Sequence, residues 1–142
     1  MVAAFAPEGE RKAVVDLSLA GRLVLVVEDE PIIAVDIVHW LRAAGARVSH
    51  ARTLRDALRK VEEPELSAAV IDHGLSDGDA SQICSRLDQR CVPFVVYSGY
   101  NHVKGPCSEG TQVSKPVPPI ALVEAVTEAL LQQGAGRDTP RL

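Results

Sequence analysis

At 142 residues the chain has room for one domain with its own core and not for two full ones. An apolar fraction of 46% with 24% charged residues is ordinary for a globular protein, and a net charge of -4 without any run of Lys and Arg argues against nucleic acid as a partner. The apolar runs are far short of a membrane span, and Met1–Pro7 is too short and lacks the basic start of a secretory signal, so a cytoplasmic protein with no membrane partner is expected.

Residues 1–20 mix Gly, Pro, charge and small side chains and read as a leader. A continuous apolar run, Leu23-Val24-Leu25-Val26-Val27, then predicts a strand covered on both faces, and it runs into Glu28-Asp29. Pro31 suits the first turn of a helix whose stripe is Ile33, Ile37, Trp40, Leu41 and Ala44, with Trp40 in the core and Gly45 as the stop. Ile32 and Val35 lie off that stripe, close to the acid pair, where exposed apolar side chains suit a partner. Arg47–Ala51 predicts a second strand. Thr53 is suited to cap a helix that buries Leu54, Ala57, Leu58 and Val61 and ends by Pro64.

The third strand is Ala68–Ile71, running into Asp72. A Gly-containing loop follows, in which Asp77-Gly78-Asp79 reads as a turn or cap because the other ligands of a calcium loop are missing. The third helix covers Ala80–Gln89 with Ile83 and Leu87 inward. Pro93 opens a fourth strand, Phe94-Val95-Val96-Tyr97, ending in Ser98. The rhythm calls for a helix next, but Gly99, Gly105, Pro106 and Gly110 interrupt it, so an irregular turn in a mobile loop is expected over 99–110. Thr111–Ser114 predicts the fifth strand, followed by Lys115-Pro116. A last helix from Pro118-Pro119 buries Leu122, Val126, Ala129 and Leu130, and 134–142 reads as a flexible tail. Cys84, Cys91 and Cys107 are an odd number without C-x-x-C spacing and are expected to be free thiols.

Strands alternating with helices predict βαβ units, a parallel sheet and helices on both faces. Such a sheet binds ligands at the carboxyl ends of its strands. There the chain places an acid pair, an Asp, a hydroxyl and a Lys-Pro, each at the end of its own strand. Carboxylates from Asp29 and Asp72, a backbone carbonyl at Gly74 and a water held by Glu28 are a donor set for Mg2+. Asp72 is then the candidate nucleophile toward a phosphoryl group, with Ser98 and Lys115 to meet its oxygens.

On these residues the chain resembles the receiver domain of two-component response regulators, over about 21–133. The resemblance maps the acid pair to Glu28 and Asp29, the phosphoacceptor to Asp72, the hydroxyl to Ser98 and the lysine to Lys115. It implies an α/β, flavodoxin-like doubly wound five-stranded parallel sheet in order 2-1-3-4-5, with helix 4 here short or disordered. It also implies bound Mg2+, a histidine kinase as partner and a cis peptide at Lys115-Pro116. Two features depart from the pattern. Gln112 stands where receivers usually carry Tyr or Phe, and the stretch from Pro93 to Tyr100 is similar to a subgroup with Phe-Ala-Thr-Gly-Tyr, often paired with kinases of the HWE type. Tyr100, or ordering of 99–110, would then replace the usual switch. The resemblance suggests a stand-alone receiver with an unknown downstream partner, not an enzyme. The alternatives are an interaction module working without phosphorylation, or a detached receiver of a hybrid kinase. A phosphatase reading is weakened because Gly74 stands where an acid/base Asp would be needed.

Overall fold

A computed structural model describes residues 18–75, 80–99 and 103–137. Its elements alternate as the sequence predicts: β1 (Leu23–Val27), α1 (Pro31–Ala43), β2 (Arg47–Ala51), α2 (Leu54–Lys60), β3 (Leu66–Asp72), α3 (Ser81–Gln89), β4 (Phe94–Ser98), a short 3-10 helix (Gly105–Glu109), β5 (Thr111–Ser114) and α4 (Pro119–Arg137). The five strands are parallel and lie in the order β2-β1-β3-β4-β5. The expected flavodoxin-like fold is therefore present.

Period-two alternation divides the core between the two faces of the sheet. Leu25, Val27, Ala69, Ile71 and Val96 face Ala57 and Val61 at α2 and Ile83, Cys84 and Leu87 of α3. Val24, Val26, Val70, Val95 and Tyr97 face Ile37 and Leu41 of α1 and Leu122 and Val126 of α4. The β1 residues Val24–Val27 have no exposed surface, which explains why that strand is apolar without alternation.

Local chemistry sets the element ends. Thr53 caps α2 by accepting from the Asp56 N–H at 3.1 Å. Gly45 ends α1 with a left-handed φ of 99° and sits against Ala20 so closely that an added Cβ would lie 3.0 Å from its backbone. The Lys115-Pro116 peptide is cis.

Several expectations change. The buried face of α1 is Ala34, Ile37 and Leu41, while Ile33 and Trp40 are 40% and 41% exposed; the helix is rotated so that small Ala34 is turned inward, and Trp40 is not core. Leu19, counted with the leader, is fully buried, and its N–H donates to Ala44 O at 3.0 Å. The last helix continues to Arg137 through Gly134 and Gly136, so the segment 134–137 is helical rather than tail. The cysteines are not all free: Cys84 of α3 is disulfide-bonded to Cys107 of the 3-10 helix, with Cα atoms 5.0 Å apart, and only Cys91 is a free thiol. Asp77-Gly78-Asp79 lies outside the described residues.

The helix between β4 and β5 is reduced to one 3-10 turn, as expected, but the described part of the expected mobile loop is tethered. Besides the disulfide, Gln112 donates its side-chain amide to Cys107 O at 2.8 Å and Gly110 O at 3.0 Å. Gly110 lies flat on Phe94: a Cβ there would come within 2.5 Å of the ring.

Candidate functional site

The strand register builds the site. Val27 of β1 pairs with Ile71 of β3, so one step further Glu28 and Asp72 stand side by side at the carboxyl edge. The ladder on the other side of Glu28 continues through its N–H to Ala51 O at 3.0 Å. Asp72 in turn pairs with Tyr97 of β4, and the Ser98 carbonyl accepts from the Lys115 N–H at 2.8 Å, which draws the end of β5 to the same edge.

Glu28, Asp72 and Ser98 are the buried polar residues among those described, and Asp29 is half-buried. The Lys115 ammonium lies 2.9 Å from Asp72 Oδ1, and the same oxygen accepts from the Gly74 N–H at 2.9 Å. Glu28 Oε2 accepts from the Glu30 N–H at 2.9 Å, and Oε1 accepts from the Tyr97 hydroxyl. Carboxylate oxygens of Glu28, Asp29 and Asp72 all lie within 4.8 Å of one another.

Three carboxylates so close repel one another unless a proton or a cation intervenes. Burial pushes the Glu28 carboxyl up to about 7, against the lowering effect of its hydrogen bonds from Tyr97 and Glu30; the neighbouring Asp72 charge raises it further. Burial, the hydrogen bond to Glu28 and the nearby acids hold the Tyr97 phenol well above its ordinary range. All three acidic donors are hard oxygens, the chemistry that magnesium, calcium or manganese takes and that soft metals do not. The residues therefore fit a divalent cation.

The sequence-selected residues fall into two sets. Glu28, Asp29, Asp72, Gly74 and Lys115 come together, with Ser98 at the adjoining strand end. Gln112 does not join them; its amide is turned to the 3-10 helix. Ile32 and Val35 stand on α1, 79% and 66% exposed. Tyr100 lies outside the described residues. Tyr97 was missed as a site residue. The signal was present: counting by twos from Val24 and Val70 puts Glu28, Asp72 and Tyr97 on one face of the sheet.

No protein-family model matches the chain, and no curated protein is similar to it. Among solved structures it is similar to a CheY-like response regulator receiver domain protein from Methanospirillum hungatei (24% identity over 81% of this chain and 98% of that one, TM-score 0.71). It is likewise similar to the N-terminal domain of a response regulator/sensory box/GGDEF protein from Carboxydothermus hydrogenoformans (25% identity, 82% and 99% covered, TM-score 0.70). A third is the response regulator PhyR from Brucella abortus (22% identity, 85% and 53% covered, TM-score 0.70). Fold and edge chemistry together define a doubly wound α/β domain with an acidic, lysine-bearing site at its strand ends. Its fold is that of the response-regulator receiver domain. Among the described residues no helix is long and apolar enough to cross a membrane.

Proposed function

We propose that the chain is a response-regulator receiver that accepts a phosphoryl group on Asp72 from a histidine kinase and signals by binding a protein partner or by phosphorelay. The observation that carries this reading is the placement of Asp72: buried, 2.9 Å from the Lys115 ammonium, and inside a cluster of three carboxylates. Asp29, Asp72 and the Gly74 carbonyl would hold Mg2+, with Glu28 acting through a water. Such a cation would neutralise charge on the incoming phosphoryl oxygens. In the transfer, a carboxylate oxygen of Asp72 bonds to phosphorus, the P–N bond of a phosphohistidine breaks, and the released imidazole takes a proton from water. Lys115 and Ser98 then meet the new phosphoryl oxygens, and this local change of charge is the switch.

The protein is in this reading a phosphoacceptor and not an enzyme, resides in the cytoplasm, and pairs with a kinase of the HWE type because of the Pro93–Tyr100 stretch. Exposed Ile32 and Val35 on α1 are its candidate kinase contacts. Intact mass spectrometry after acetyl phosphate and Mg2+ is expected to show one added phosphoryl, absent in Asp72→Asn. No adduct from acetyl phosphate or from any phosphorylated kinase would refute it. A second reading, an interaction module that works without phosphorylation, is favoured by Gln112, whose amide is tied to the adjoining turn. Unchanged partner binding by Asp72→Asn would select it.

A further inference from the structure

Glu28 is the most enclosed acid of the site, 1% exposed, and both of its oxygens already accept a hydrogen bond. One donor is backbone. The other is the hydroxyl of Tyr97, which is itself 1% exposed and belongs to the apolar cluster on the α1 and α4 side of the sheet. The Lys115 ammonium stands 5.2 Å from the centroid of the Tyr97 ring. A carboxylate oxygen has a second lone-pair site, so Glu28 held this way still accepts from a water. A bidentate grip on a cation would turn both oxygens away from donors they already have, and Oε1 taken directly by the ion would have to share with the Tyr97 hydroxyl.

We propose that Tyr97 is a positioning residue for the cation site: its hydroxyl holds Glu28 one water away from the ion, and so favours magnesium over calcium. The chemistry of the two ions gives the direction. Magnesium is small, keeps several waters and takes one or two carboxylates, whereas calcium takes 6–8 oxygens and accepts carboxylates directly. A site whose third acid is restrained supplies two direct carboxylates and outer hydrogen bonds, which suits the first ion. The inference rests on the cation reading above.

The test uses the full chain, titrated with magnesium chloride and calcium chloride by calorimetry, and with Mn2+ by water-proton relaxation to count the waters on the bound ion. Tyr97→Phe keeps the ring and removes the hydroxyl. It is expected to raise calcium affinity relative to magnesium by about fivefold or more and to remove one water from bound Mn2+. An unchanged ratio with an unchanged water count overturns the proposal, since a merely structural role for Tyr97 would move the melting temperature alone. Should Tyr97→Phe fail to fold, Glu28→Gln reads the same geometry: the water count of the wild type is expected, and a gain of one water, marking Glu28 as a direct ligand, overturns it. Failure of the wild type to bind any of the three ions would overturn the cation reading itself, an outcome distinct from binding with an unaltered ratio.

Discussion

The acidic edge at the ends of β1 and β3 and the segment between β4 and β5 are neighbours held together in different ways. At the edge, strand register delivers each side chain, and hydrogen bonds from Gly74, Glu30, Tyr97 and Lys115 fix the carboxylates. Between β4 and β5 a 3-10 helix is fastened by a disulfide, one glutamine and one glycine contact. The first region is like-charged and gains from a cation; the second is neutral and already tied. In a receiver of the proposed kind, chemistry would sit in one and readout beside the other. The bonds that tie the described part of this segment can be cut one at a time.

Cutting the disulfide should have the largest effect. The linkage spans 23 residues, and Cys84→Ala with Cys107→Ala is expected to lower stability by about 2–4 kcal/mol in urea denaturation. Because cytosolic thiols are usually kept reduced, a thiol titration of unreduced protein checks the bond itself; three reactive thiols in the unfolded chain instead of one would remove it from the comparison. Gly110→Ala comes next. Its Cβ would overlap the Phe94 ring and carbonyl, at a cost of about 1–3 kcal/mol by the same measurement. Gln112→Ala removes two side-chain bonds at an exposed position and should cost about 1 kcal/mol.

The acidic edge should answer to pH instead. The Glu28 carboxyl lies at about 7 in the fold, above its ordinary 4.5, so the folded chain holds a proton that the unfolded chain has released. That contribution to stability is fully present below 4.5 and is lost as pH rises through about 7. Urea midpoints of the metal-free protein should therefore fall across that window, and fall less in Glu28→Gln. Equal slopes in both would place the coupling elsewhere.

What could be read in the sequence follows the same division. Strand ends were legible because a buried parallel strand is an apolar run that stops abruptly, and Glu28, Asp72 and Ser98 are where the runs stop. The facing of α1 was not, because Ile33 and Trp40 fit a helical stripe as well as Ala34 does, and only packing against the sheet decides between them. Leu19 could not be told from a leader, since it is buried by a cluster built from β1, α1 and α4. The Cys84–Cys107 pair joins residues far apart in the chain with no spacing rule to announce it. Tyr97 carried a usable signal in strand parity, hidden because an aromatic in a strand reads first as core.

The most direct test is to locate the phosphoryl group. After treatment with acetyl phosphate and Mg2+, the chain is digested and the peptides are compared before and after neutral hydroxylamine, which cleaves acyl phosphates. The account predicts one phosphoryl on the peptide containing Asp72, removed by hydroxylamine. A hydroxylamine-stable adduct on Ser98, or none anywhere, would contradict it.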